Sequence, residues 1–140
     1  MTRHTSKPTS THVSGSCLCG RVRMQVAEFD TQVVACHCSQ CRKQTGSYYH
    51  AASVLDSNLT MEGREFVKEY AASDFAKRGF CSECGSALYW KQNDADTTSV
   101  MVGHFDNPTG LRTIGHIFVD DMGDYYTLDP ELPQYPQSDT

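Results

Sequence analysis

No run of 18 consecutive apolar residues occurs in the chain, and its 12 lysines and arginines form no concentrated cluster. The first absence argues against a membrane-spanning helix, which needs roughly 20 apolar residues to cross the hydrocarbon core. The second argues against a protein that tracks a phosphate backbone, because such binding requires a concentrated basic face. A formal charge of -5 points the same way. The opening stretch MTRHTSKPTSTH has no apolar core of signal-peptide length. The expectation is a soluble, cytoplasmic protein that binds neither nucleic acid nor membrane.

Helical periodicity is scarce too. The one plausible helix is a turn or two from Ser39 as N-cap to Gly46 as terminator. Elsewhere short β-branched and aromatic segments dominate. In 21–29, Val22, Met24 and Val26 alternate with Arg21, Arg23 and Gln25, the pattern of a half-buried strand. Further strands are expected over 32–35, 48–55, 66–70, 87–90, 99–105 and 113–119, separated by turn residues such as Asp56-Ser57-Asn58 and the run Asp106 to Gly110. This predicts a mainly β fold with very little helix, built from two small sheets facing each other. At 140 residues one domain is expected, over 13–128, after a flexible tail at 1–12 and before a Pro-rich arm at 129–140 carrying Pro130, Pro133 and Pro136.

Seven cysteines fall into three groups and none lies outside them: Cys17-Leu18-Cys19, then Cys36, Cys38 and Cys41, then Cys81-Ser82-Glu83-Cys84. In a reducing compartment they are better metal ligands than disulfide partners, and the odd number leaves one unpaired in any intramolecular scheme. A closed tetrahedral zinc site takes four ligands, which Cys17, Cys19, Cys81 and Cys84 can supply. Because such a site forms only as the chain folds, its binding free energy, of order 10 kcal/mol in small zinc modules, becomes folding free energy. Cys36, Cys38 and Cys41 then remain as a three-thiolate set, the ligand number of a catalytic zinc with one exchangeable position. Two rival arrangements are open at this point. The trio can close as a Cys3His site with His37, His50, His104 or His116, of which His37 is the weakest because strand alternation turns its ring away from Cys36 and Cys38. Alternatively, the first and second groups share one metal and the third is an independent redox pair.

The segments GSCLCGRV at 15–22, ACHCSQCRKQTGS at 35–47, RGFCSECGSALYW at 78–90 and GLRTIGHIFVDD at 110–121 resemble the glutathione-dependent formaldehyde-activating enzymes, whose wider family includes centromere protein V. The resemblance implies an Mss4-like fold of packed antiparallel β-sheets carrying two zinc ions. It assigns Cys17, Cys19, Cys81 and Cys84 to a structural ion and Cys36, Cys38 and Cys41 to a catalytic one. One departure is Asp124-Tyr125-Tyr126, where family members often carry a tryptophan.

The implied activity is that of a carbon-sulfur lyase of the S-(hydroxymethyl)glutathione synthase type, joining a thiol such as glutathione to an aldehyde such as formaldehyde. Coordination deprotonates a thiol that is otherwise mostly protonated at neutral pH. Arg42, Lys43, Lys77 and Arg78 flank the cysteine groups and are candidates to offset thiolate charge or receive substrate carboxylates. Tyr48, Tyr49 and His50 are candidates to relay a proton. Phe80 and Trp90 are expected to pack around the structural zinc. The alternative is a noncatalytic zinc-stabilised β module that binds a protein or other partner. Exposed sheet edges leave room for a homodimer.

Overall fold

The computed structural model describes residues 12–138. The expected tail at 1–12 therefore lies outside the described residues except for His12. Among the described residues there are ten strands and one short α-helix. The strands are β1 (Val13–Ser16), β2 (Arg23–Val26), β3 (Val33–Cys36), β4 (Tyr49–Leu55), β5 (Leu59–Glu62), β6 (Val67–Ala71), β7 (Ala76–Cys81), β8 (Ala87–Gln92), β9 (Thr97–Met101) and β10 (Thr113–Ile117). They form a three-stranded sheet, β1-β2-β5, and a seven-stranded sheet, β10-β3-β4-β9-β8-β7-β6. All pairings between these strands are antiparallel except that of β10 with β3, which is parallel.

Alternation gives each face of the large sheet its own character. From β3, β4 and β9, Val33, Ala52, Val54 and Val100 turn to one face and pack with Val13, Val22, Met24, Val26 and Met61 of the small-sheet region to make the core. A register shift in the β7–β8 pairing lets the adjacent Leu88 and Tyr89 both join that core. At roughly 25 cal/mol per Å² of apolar area, burying each such side chain contributes on the order of 2 kcal/mol. The residues between them, including Cys36, Tyr49, Ala51, Ser53, Arg78 and Ser99, line a cavity on the opposite face.

The C-terminal arm closes an edge. His116 N–H donates to Pro133 O at 2.9 Å, and Tyr135 N–H donates back to His116 O at 2.9 Å. Phe118 N–H donates to Gln137 O at 2.9 Å. The arm thus occupies the free side of β10, which would otherwise present unpaired amides and carbonyls.

Several local expectations are corrected. The strand expected over 99–105 starts earlier and stops at Met101, and Val102–His104 forms a 3-10 turn. Strands β1, β5 and β7 were not anticipated; β7, AKRGFC, has charged residues and a glycine and is strand because β6 and β8 flank it. The helix α1 (Ser39–Thr45) is capped by Cys38 rather than Ser39, the Cys38 Sγ accepting from Cys41 N–H at 3.4 Å. Gly46 ends it in the left-handed conformation, φ 93°, which costs glycine little.

Candidate metal centres and the adjoining cavity

Two clusters of thiols form, on opposite faces of the large sheet. The first joins Cys17, Cys19, Cys81 and Cys84, whose sulfurs all lie within 4.8 Å of one another. Cys17 and Cys19 follow β1, Cys81 ends β7, and Cys84 sits in the turn before β8. The Cys17–Cys19 and Cys19–Cys81 sulfurs are 3.6 and 3.8 Å apart. Sulfurs bonded at about 2.3 Å to a tetrahedral zinc lie about 3.8 Å apart, whereas a disulfide would bring two to about 2.05 Å. All seven cysteines are free thiols. The donor set fits a metal ion such as zinc.

Hydrogen bonds around this cluster favour sulfur as an anion. Val22 N–H donates to Cys17 Sγ and Glu83 N–H to Cys81 Sγ, each at 3.4 Å. Ser86 links both knuckles, its Oγ lying 3.2 Å from Cys84 Sγ and accepting from Leu18 N–H at 3.0 Å. The Ser86 side chain, followed by its backbone amide, brings the Cys84 thiol down to about 5. Backbone and side-chain bonds from Arg21 lower Cys19, while burial pushes Cys81 up to about 11. Such partners orient and tune metal-bound thiolates.

The second cluster is Cys36, Cys38 and Cys41, again within 4.8 Å of one another. Cys36 ends β3, Cys38 caps α1 and Cys41 lies in its first turn, so one strand-to-helix corner supplies all three sulfurs. Hydrogen bonds from the Cys36 and Cys41 thiols pull Cys38 down to about 2. Donating to Cys38 and Cys41, together with burial, pushes Cys36 far above the ordinary thiol range. Three sulfurs this close cannot all be anionic without a cation between them. The set has the chemistry of a metal site with three protein ligands.

Arg78 of β7 is the counter-charge. It is 6% exposed, and its Nη2 donates to Cys41 Sγ at 3.5 Å and approaches Cys38 Sγ at 4.0 Å. Nε donates to Gln40 Oε1 at 3.1 Å and Nη1 to Gln44 Oε1 at 3.0 Å. The guanidinium also lies 5.4 Å from the centre of the Tyr49 ring. Sequence proximity suggested Lys77 and Arg78 equally, but alternation separates them. Lys77 bridges Glu69 at 3.3 Å, away from the thiols.

No histidine nitrogen joins either cluster among the described residues, which removes the Cys3His grouping from the geometry. Nor do the first and second cysteine groups come together; the first meets the third. His37 is fully buried, with Nδ1 2.9 Å from Tyr126 Oη and Nε2 2.8 Å from His116 Nδ1. This web was not legible beforehand. It engages the tyrosine pair found in place of the expected tryptophan, and Tyr125 Oη donates to Gly46 O at 2.7 Å at the end of α1.

Cys36, Cys38 and Cys41 open on a cavity of about 590 Å³. Of the run Tyr48-Tyr49-His50 only Tyr49 lines it. The Tyr49 hydroxyl is buried without a hydrogen-bond partner, and burial raises its pKa beyond the ordinary tyrosine range. Trp90 also lines this cavity, so the expectation that it packs around the four-thiol cluster is corrected. Phe75 and Phe118, which the sequence did not mark, complete the aromatic wall.

A mainly β chain with two sheets, a four-thiol cluster and a separate three-thiol cluster defines a class of protein able to hold metal through cysteine knuckles. More particularly, the chain belongs to the glutathione-dependent formaldehyde-activating enzyme family, whose model matches residues 12–121. A Schizosaccharomyces pombe protein named an uncharacterized lyase is 29% identical over 113 residues, 80% of this chain and 82% of that one. A crystal structure of a Rhodobacter sphaeroides protein matches with a TM-score of 0.59 and 24% identity, covering 86% of this chain and 98% of that one. The latter likeness supports the fold. Among the described residues, no helix is long and apolar enough to cross a membrane.

Proposed function

We propose that the protein is a zinc-dependent lyase-type enzyme that joins a small thiol to an aldehyde such as formaldehyde, or releases it, at Cys36, Cys38 and Cys41. The observation that carries this reading is the convergence of three sulfurs, with no fourth protein ligand among the described residues, on the wall of a substrate-sized cavity. Family membership and the lyase name of the S. pombe relative support it. In this reading Cys17, Cys19, Cys81 and Cys84 hold a second, structural ion. A noncatalytic module would need the four-thiol set for stability but has no use for an incomplete set facing a cavity.

Zinc held by Cys36, Cys38 and Cys41 would supply a positive centre that favours the thiolate form of a substrate thiol. The remaining work falls to the chain. Arg78 offsets thiolate charge, and Gln40 and Gln44 hold its guanidinium in place. In the addition the sulfur lone pair forms a C–S bond, the carbonyl π pair moves to oxygen, and the proton shed by the thiol ends there. Release breaks the same C–S bond and returns the proton. Tyr49, 2% exposed, lies against the Arg78 guanidinium and helps to hold that cation beside the sulfurs.

Cobalt-substituted protein titrated with small thiols tests the site through its thiolate-to-metal absorption. A thiol-dependent change that Cys41→Ser abolishes is expected. Absence of change with every thiol would favour the binding-module reading.

A further inference from the structure

The cavity beside the three thiols is poor in charge. Among its described lining residues there is no lysine, histidine, aspartate or glutamate, and Arg78 is the one cation. That cation is already engaged, since Gln40, Gln44, Cys38 and Cys41 take its donors and Tyr49 lies against its face. The rest of the wall consists of aromatic rings, small aliphatic side chains, serines, Thr31 and glutamines.

Glutathione carries two carboxylates and an ammonium group. Bringing those charges from water into this space would strip their hydration without supplying an opposite charge. The site's own charge works in the same direction. Three thiolates, a divalent ion and Arg78 sum to zero, so an incoming thiolate already makes the site anionic and a net-negative body adds repulsion.

Two features of the wall favour an apolar body instead. Phe75, 59% exposed, stands at the rim as one of the most exposed large hydrophobic residues. Phe118 takes φ 56°, a backbone conformation that side-chain-bearing residues rarely adopt, and its N–H is fixed to Gln137 O at 2.9 Å. Strain retained at a cavity wall is a mark of a residue held for binding. With Trp90 these rings offer stacking surfaces around the sulfur end.

We infer that the cavity takes an uncharged thiol with an aromatic or aliphatic body, and its aldehyde adduct, in preference to a peptide thiol bearing carboxylates. The inference rests on the three-thiol set being the chemical site, as proposed above.

Trp90 is the single tryptophan of the chain, so intrinsic fluorescence reads this cavity directly. The full-length metal-loaded protein would be titrated with 2-phenylethanethiol and with glutathione, following Trp90 emission in the zinc form and thiolate absorption in the cobalt form. Phenylethanethiol is expected to alter both signals with at least tenfold tighter binding than glutathione. Phe75→Ser should weaken phenylethanethiol several-fold and leave glutathione unchanged. Equal or tighter binding of glutathione, with absorption changing for both thiols, would overturn the substrate class while leaving the thiol-activating reading intact. A phenylethanethiol signal in absorption without one from Trp90 would also overturn it, because the body of the ligand would then lie elsewhere. Silence in absorption with both thiols would remove the underlying reading itself.

Discussion

The four-thiol and three-thiol clusters use the same side chain to opposite ends, and the difference begins with sequence separation. In the four-thiol cluster, contact between Cys19 and Cys81 closes a loop of 62 positions and ties the β1–β2 turn to the β7–β8 turn. In the three-thiol cluster all sulfurs come from one strand-to-helix corner between 36 and 41. Closing the longer loop removes about 2 kcal/mol more chain entropy than closing the shorter, because the cost grows as (3/2)RT ln n. A metal at the first cluster therefore offsets a cost of folding, whereas one at the second organises a corner the backbone already makes. Surroundings differ in the same sense. Cys17 and Cys81 join the core, while the trio borders a cavity and borrows its counter-charge from Arg78 on another strand.

The largest effect should come from breaking the long closure. Cys84→Ser is expected to cost on the order of 5 kcal/mol and to leave the chain largely unfolded, while Cys41→Ser stays folded with one equivalent of zinc lost. Thermal melts by circular dichroism with metal analysis of both variants measure this, and equal destabilisation would make the second cluster structural too. Next is Arg78→Met, which strands the thiolates without their buried partner. A loss of about 3 kcal/mol is expected, with zinc affinity at the trio falling about tenfold and that of the four-thiol cluster unchanged. Competition against a chromophoric chelator resolves the two sites, and a parallel loss at both would show Arg78 to act on the whole fold.

The smallest effect concerns protons. Burial lowers the pKa of His104, whose Nδ1–H donates to Met101 O at 2.8 Å and which feels the charge of Cys84, and likewise that of His116 behind the trio. Both histidines are ordinary, near 6.5, once unfolded. As pH falls below about 6.5 the unfolded chain binds more protons, so stability is full above that value and declines towards the lowered folded values. Urea midpoints between pH 7.5 and 5 should fall with acidity, and His104→Gln and His116→Gln should each flatten the decline. A steeper decline in either variant would reverse the sign assigned to that site.

Much of this could be read from residue order. The alternation of Val22, Met24 and Val26 marks β2 because period 2 and burial on one face are local properties. The Gly46 terminator is similarly local, since it depends on one residue's freedom at φ 93°. The β7 strand was missed because AKRGFC has weak intrinsic strand preference and gains its conformation from neighbours β6 and β8. Arg78 was singled out only as one of several cations near a knuckle. The reason is geometric: Arg78 and Cys81 share a strand but lie an odd number of positions apart, so they turn to opposite faces and serve different clusters.

The sequence by itself therefore determined the mainly β character, the family, and three local sets of cysteines with the spacing of metal knuckles. Spacing constrains only the sulfurs within a knuckle. Which knuckles meet was expected from ligand count and the family resemblance rather than from spacing, but that Arg78 rather than Lys77 neutralises the trio, and that Tyr49 and Trp90 wall a nearly uncharged cavity, depended on strand order and facing. Those are set by long-range pairing and by burial of one sheet face against the other, and so only the tertiary structure decided them.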